Sequence, residues 1–129
     1  MIAPARTIGA AIGLAALGAC VTANAGDNPL PSALEAGWEG KPVCELLHRS
    51  DTHRVLECSF APGVGHERHF HPAHFGYALS GGTMKLTDAN GDRIARIATG
   101  SSYSSDGVAW HQVVNVGDTT VTYLIVEEL

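Results

Sequence analysis

The sequence predicts one all-β domain, either a β-sandwich or a small β-barrel. About eight short runs with strand-like composition follow one another, and glycine-containing turns separate them at short intervals. After the first 25 residues, no segment has both the length and the period of a long amphipathic helix. Short strands at this spacing are typical of antiparallel sandwiches and small barrels.

The N-terminal segment predicts export from the cytoplasm. Arg6 precedes a small, apolar stretch at residues 7–19, and Ala23-Asn24-Ala25 has the A-x-A form of a signal-peptidase site. The stretch is too short to span a bilayer as a helix. We therefore predict a signal peptide at residues 1–25 and a location in the periplasm or cell envelope. Alternatively, the segment from Leu17 to Cys20 resembles a bacterial lipobox, whose cysteine would carry a lipid anchor.

Charge limits the partners that the chain can have. The formal net charge is −5 at pH 7, and the lysines and arginines do not form a cluster. Such a protein is a poor candidate for binding nucleic acid or anionic lipid, and the sequence predicts no membrane span. A small-molecule ligand remains as the expected partner.

After the leader, the chain divides into an N-terminal arm at residues 26–41 and a β-barrel domain at residues 42–129. The arm contains prolines and glycines, allows at most one turn of helix at 32–36, and has Trp38 as its expected anchor. Between residues 100 and 107 we expect a polar loop, and around Gly117-Asp118 a final hairpin. The predicted strands lie at 43–48, 54–61, 75–79, 83–87, 93–98, 108–116 and 120–127.

The first hairpin predicts a disulfide. Centring it on Asp51 places Cys44 opposite Cys58 and Leu46 opposite Leu56. An exported chain meets oxidising conditions, so we expect these two cysteines to be joined. The alternative is a pair of buried free thiols. The same register sets two glutamates against each other, which is unfavourable: Glu45 and Glu57.

The densest chemical signal is the run from His66 to His74, where four of nine residues are histidine. Residues two apart face the same side of a strand, so His69 and His71 can aim at one point. A bend at Pro72-Ala73 could bring His74 back toward them. The zinc-protease pattern H-E-x-x-H is excluded, because Phe70 stands where its second histidine would be. The alternative is a solvated or adventitious metal-binding tract.

The spacing of these histidines resembles the two motifs of the cupin family of small β-barrels. Gly63 is followed after five residues by His69-Phe70-His71, and His74 stands in place of the family's glutamate, one residue early. The second motif is matched by Gly100, His111 and Asn115, although Asp106 and Val108 replace its proline and glycine.

The resemblance implies a cupin-type jelly-roll barrel around one divalent transition metal. Its implied ligands are His69, His71, His74 and His111, with a three-histidine site as the fallback if His74 does not bind. A site built from nitrogen ligands suits Fe, Ni, Cu, Zn or Co. His66 falls outside the motif and is expected at the pocket rim. Glu67 is expected as a surface carboxylate or, alternatively, as a partner of the ligands.

Strand parity predicts which residues line the cavity. His74, Gly76 and Ala78 should face inward, whereas Phe75, Tyr77 and Leu79 should face outward. The outward set is apolar, so we expect the arm or a second subunit of a homodimer to cover it. Two aromatic residues could line the pocket mouth: Tyr103 and Trp110.

These observations leave three functional hypotheses. The first is a metal-dependent enzyme, oxygenase-like or isomerase-like, that acts on a small oxygenated metabolite. The second is a non-catalytic module that binds a metal or a small ligand. The third is a metal-free jelly roll whose histidines are structural.

Overall fold

The structure is a computed structural model that describes residues 29–129. The predicted signal peptide and the lipobox at Cys20 lie outside the described residues, as does the start of the arm. Within the described part the regular elements are strands. They are β1 (Gly37–Trp38), β2 (Lys41–Pro42), β3 (Cys44–Arg49), β4 (His53–Phe60), β5 (Gly65–His71), β6 (His74–Ser80), β7 (Gly82–Asp88), β8 (Gly91–Ile97), β9 (Ser102–Ser105), β10 (Val108–Asn115) and β11 (Val121–Glu128).

Two antiparallel sheets enclose the core. One has the strand order β5-β10-β7-β8 and the other the order β3-β4-β11-β6-β9, while β1 and β2 form a small separate pair. Apolar side chains of both sheets meet between them, chiefly Leu56, Phe60, Met84, Val121 and Ile125. The all-β prediction is therefore confirmed. In residues 29–129, no helix is long and apolar enough to cross a membrane.

The predicted first hairpin is confirmed in its register. Cys44 pairs with Cys58, Leu46 with Leu56 and, despite their like charges, Glu45 with Glu57. The two cysteines form a disulfide, with their Cα atoms 4.0 Å apart. Both are buried against the core, so the cross-link joins β3 to β4 from the inner face.

The predicted final hairpin is wrong. β10 pairs with β5 and β7, whereas β11 pairs with β4 and β6, so the segment between them crosses from one sheet to the other. Asn115 holds this crossing: its Nδ2 donates to the carbonyls of Phe60 and Thr119, and its Oδ1 accepts from the Gly117 amide. A buried side chain that satisfies three backbone groups fixes the loop more firmly than a turn sequence would.

The predicted polar loop at residues 100–107 contains the short strand β9. Its serines have little intrinsic preference for strands, but they pair with the edge of β6 from His74–Ser105 to Tyr77–Ser102. The partner strand therefore decides the conformation, as is usual for β-structure.

The N-terminal arm lies against β5. The Phe70 amide donates to the carbonyl of Pro31, and one helical turn forms where the Ala36 amide donates to the carbonyl of Ser32. The Trp38 ring packs on Gly65 so closely that a Cβ at this glycine would lie 2.6 Å from it and 2.5 Å from the Val113 oxygen. Trp38 is thus the anchor that the sequence predicts.

Strand β6 alternates as predicted. His74, Gly76 and Ala78 are buried, whereas Phe75, Tyr77 and Leu79 are 42%, 38% and 44% exposed. The described part of the arm, from residue 29, lies on β5 and does not cover this apolar face. Cover by a second subunit stays a prediction.

Candidate metal centre

Three histidine rings from two neighbouring strands meet at one point. His69 and His71 alternate inward from β5, and His111 stands opposite His69 on β10. The Nε2 atoms are 3.0 Å apart for His69 and His71, 3.0 Å for His69 and His111, and 3.1 Å for His71 and His111. Among the described residues these three form the one group of histidine, cysteine or acidic side chains close enough together to hold a metal ion.

The other ring nitrogens fix the tautomers of two of these histidines. Nδ1 of His69 donates to the backbone carbonyl of Glu67 at 2.6 Å, and Nδ1 of His71 donates to Oε1 of Glu127 at 2.6 Å. In a neutral ring with its proton on Nδ1, Nε2 carries a lone pair. When both rings are in this form, two lone pairs face each other at 3.0 Å, and a metal ion or a proton between them would stabilise the arrangement.

Glu127 contacts the candidate metal centre and was not predicted from the sequence. It is 0% exposed, and its Oε2 accepts from Nε of Arg54 at 2.5 Å while Oε1 accepts from His71. Burial raises the pKa of this carboxyl, but the hydrogen bonds from His71 and Arg54 outweigh burial and hold the pKa below its ordinary value. Glu127 is thus an ionised carboxylate behind a candidate ligand.

Burial keeps two of the three clustered imidazoles neutral. Burial lowers the pKa of His69 to about 2, and the nearby His66 and His111 add to the shift. Burial likewise lowers the pKa of His111 to about 3, assisted by the charge that His71 would carry. Neutral imidazole is the form that binds metals, so His69 and His111 are in their binding form at neutral pH.

His74 lies beside the cluster rather than in it. Its ring stacks on His71 with the centroids 4.6 Å apart, and its Nδ1 donates to the carbonyl of Pro72 at 2.8 Å. The bend at Pro72 therefore returns His74 toward His71, as expected from the sequence. Burial lowers the pKa of His74 as well.

The prediction that His66 lies at the pocket rim is wrong. His66 is 2% exposed, its Nε2 donates to the carbonyl of Ala33 at 3.0 Å, and its ring stacks on His69 at 3.7 Å. It thus supports the inner side of the cluster and links it to the arm. The sequence does not predict the burial of His66, because Ala33, which lies against it, is distant in the chain.

The remaining candidate residues divide between the surface and the cavity. Glu67 is an exposed carboxylate whose Oε1 accepts from the Glu39 amide, so the surface interpretation is right. Trp110 does not line the cavity. The guanidinium of Arg68 lies over its ring, with Cζ 3.7 Å from the ring centroid. Tyr103 does line the cavity, and burial raises the pKa of its hydroxyl to about 12.

The three histidines open into a cavity of about 380 Å³ between the two sheets. Its walls are mostly apolar, and the polar residues among them are five histidines, Arg93, Ser105 and two tyrosines. A pocket with apolar walls and a few convergent polar groups is typical of sites for small molecules.

The residues present fit a metal ion. Two nitrogens about 2.1 Å from one ion lie about 3.0 Å apart at a right angle and about 3.4 Å apart at the tetrahedral angle. The observed separations of 3.0 to 3.1 Å match the right-angle arrangement. Three nitrogens on one face would leave coordination positions for other ligands.

A two-sheet all-β fold with a histidine cluster inside is the architecture of a cupin, and sequence comparison agrees. The family model described as "Cupin domain" matches residues 56–127, more than half of the chain. The chain therefore belongs to the cupin family. No curated protein matches it significantly in sequence.

Solved structures show the same fold at low sequence identity. A cupin domain from Bordetella pertussis is 21% identical with a TM-score of 0.64, over 78% of this chain and 96% of that one. The polyketide cyclase RemF from Streptomyces resistomycificus is 21% identical with a TM-score of 0.56, over 74% and 73%. A predicted oxalate decarboxylase from Thermotoga maritima is 21% identical with a TM-score of 0.50, over 67% and 80%. At this identity the likeness concerns the fold.

Proposed function

We propose that the protein is a metal-binding cupin of the cell envelope that holds one divalent transition metal on His69, His71 and His111. The observation that carries the proposal is the convergence of three Nε2 atoms within 3.0 to 3.1 Å, with two rings fixed as acceptors there. His74 lines the pocket beside the metal. The disulfide between Cys44 and Cys58 supports an exported location.

The donor set limits which metal fits. Imidazole nitrogens suit Fe, Ni, Cu, Zn and Co, whereas Mg²⁺ and Ca²⁺ prefer oxygen. When bound, such an ion supplies Lewis acidity toward the oxygens of a ligand and, for Fe or Cu, access to redox chemistry.

The chain's own residues prepare the ligand site. Glu127 holds the His71 ring with its proton on Nδ1, and the Glu67 carbonyl does the same for His69. Tyr103 keeps its hydroxyl proton at neutral pH and can donate it in a hydrogen bond to a bound oxygen. The apolar walls exclude water from the ligand, which strengthens these polar contacts.

We propose that the ligand is a small oxygenated metabolite and that the reaction, if catalysed, is oxygenase-like or isomerase-like. A second candidate is a non-catalytic module that binds a metal or a small ligand. One observation favours it: of the described residues that line the cavity, none is an aspartate or a glutamate able to act as a general acid or base. Glu127 is engaged on both oxygens.

Thermal unfolding of the full chain tests metal binding. At a free metal concentration of 100 times Kd, binding adds about 2.7 kcal/mol of stability. We expect Tm to rise with at least one of the five metals and the rise to vanish in His69→Ala/His111→Ala. His48→Ala changes an exposed histidine and should respond like the unmodified protein. No rise with any metal would contradict the proposal.

Turnover separates the two candidate functions. The metal-loaded protein would be incubated with catechols, diketones, thiols and oxalate while oxygen and substrate are followed. Consumption that disappears in His69→Ala/His111→Ala supports the enzyme. Metal binding without consumption of any compound supports the binding module.

A further inference from the structure

The polar groups among the mostly apolar walls of the cavity are positive or neutral. Its described lining residues include five histidines and Arg93 but no carboxylate. Three imidazoles add no negative charge to a divalent metal, and the carboxylate of Glu127 is already paired with Arg54. The cavity wall therefore presents hydrogen-bond donors and no carboxylate that would repel an anionic ligand.

Arg93 reaches this cavity because of strand parity. On β8, the residues Arg93, Ala95 and Ile97 face the cavity, whereas Ile94 and Arg96 do not line it, and Ile94 is 59% exposed. Arg93 is thus the one arginine or lysine among the described residues of the cavity wall. Its side chain lines the cavity and is still 54% exposed, so the guanidinium is within reach of a ligand that enters from solvent.

Arg93 has one partner among the described residues, and this partner engages only a few of the N–H donors of the guanidinium. Its Nη1 donates to Oδ2 of Asp88, and Oδ1 of Asp88 accepts from the Asn90 amide. Asp88 does not line the cavity, so it holds the guanidinium from the side that faces away from the cavity. A guanidinium has five N–H groups in a planar fork, and within the described residues the remaining donors have no hydrogen-bond partner.

We propose that Arg93 binds the carboxylate of a small ligand whose apolar body fills the cavity and whose second end faces the histidine cluster. A planar guanidinium recognises a carboxylate with two parallel hydrogen bonds, which adds both strength and orientation. The contact of the ligand with a metal rests on the proposed function, whereas its contact with Arg93 does not.

Calorimetric titration of the full chain with benzoate and with benzyl alcohol tests the proposal. The two probes share the aromatic ring, but one carries a carboxylate. We expect benzoate to bind more tightly and Arg93→Gln to weaken benzoate binding about 10- to 100-fold. Arg93→Lys should recover part of the affinity, since it keeps the charge and loses the fork.

The matched control is Arg96→Gln, which removes the same charge from the same strand outside the cavity lining. We expect it to change benzoate affinity by less than about twofold. Equal weakening by Arg93→Gln and Arg96→Gln would overturn the proposal, as would equal affinity for the two probes or no binding of benzoate.

Titrating metal-free and zinc-loaded protein separates this proposal from the proposed function. Benzoate binding to the metal-free protein that depends on Arg93, together with no uptake of Fe, Ni, Cu, Zn or Co, would support the Arg93 site and remove the metal. Zinc uptake with benzoate binding that is independent of Arg93 would overturn the Arg93 site and leave the metal proposal standing.

Discussion

Glu127 and His71 form a buried hydrogen bond of 2.6 Å between Oε1 and Nδ1. The second carboxylate oxygen is held by Arg54 at 2.5 Å, so a chain of three residues runs from the edge of the core to the histidine cluster. In metal sites, a carboxylate behind a histidine fixes its tautomer and raises its basicity. The sheet register supports the chain, because Glu127 stands opposite Arg54 on the neighbouring strand.

Glu127→Gln should lower metal affinity about 10- to 100-fold, because the amide no longer holds His71 with a full negative charge. It should also destabilise the fold by about 3 kcal/mol, because Arg54 is left as a buried charge without a partner. Competition with a chelating dye measures the first effect and urea unfolding the second. Glu128→Gln, at the exposed neighbour, is the matched control and should change neither.

A double variant separates the two roles of Glu127. Arg54→Met/Glu127→Gln removes the unpaired charge, so part of the stability should return while metal affinity stays low. If metal affinity returned together with stability, Glu127 would act through folding alone.

His74 and His66 should be dispensable for metal binding. In the structure His74 Nδ1 is bonded to the Pro72 carbonyl and His66 Nε2 to the Ala33 carbonyl. We expect His74→Ala and His66→Gln to retain about one metal per chain, with affinity within about tenfold of the unmodified protein. Loss of metal from folded His74→Ala would instead support the four-histidine site that the resemblance to cupins implies.

The metal-free protein should lose stability as the pH falls below neutral. Burial lowers the pKa of His66 to about 4 and that of His69 to about 2, both from an ordinary value of 6.5. Below about 6.5 the unfolded chain therefore binds protons that the folded chain does not, which favours unfolding. Glu127, whose pKa is also lowered, acts in the same direction below about 4.5.

Urea unfolding at pH 7 and pH 5 measures this dependence. One fully shifted histidine contributes a loss of about 2 kcal/mol between these values. His66→Gln should be less sensitive to pH by about this amount, whereas His48→Gln on the surface should not. Equal stability of the unmodified protein at both pH values would show that the cluster is not buried as described.

The disulfide should contribute about 3 kcal/mol, since it closes a loop between residues 14 apart in the chain. Cys44→Ala/Cys58→Ala should lower the urea midpoint accordingly, and reductant should lower that of the unmodified protein but not that of the variant. Peptide mapping after alkylation without reduction checks the linkage. Free thiols at both positions would contradict it.

The predictions that the structure confirms came from local sequence patterns. The β3–β4 register follows from a turn at Asp51 and an apolar pair, Leu46 and Leu56, that must share a face. Side chains of a strand point alternately to its two faces, and this alternation from Phe75 to Leu79 correctly predicted which residues of β6 are buried and which are exposed. Motif spacing also identified His111, which is otherwise a lone histidine on a strand.

The errors arose where a distant partner decides the structure. β10 and β11 look like a hairpin in sequence, but each has two partners elsewhere, so they belong to different sheets. Glu127 continues the inward parity of Val121, Tyr123 and Ile125, which is a usable signal. That signal was ambiguous, because Leu124 and Val126 on the opposite parity are apolar as well.

The most direct test of the account is the metal content of the purified, untagged protein by elemental mass spectrometry, measured beside His69→Ala/His111→Ala and the control His48→Ala. We predict about one divalent transition metal per chain in the unmodified protein and the control, and almost none in the double variant. Metal-free protein that takes up no ion on incubation, or a double variant that retains its metal, would contradict the central claim.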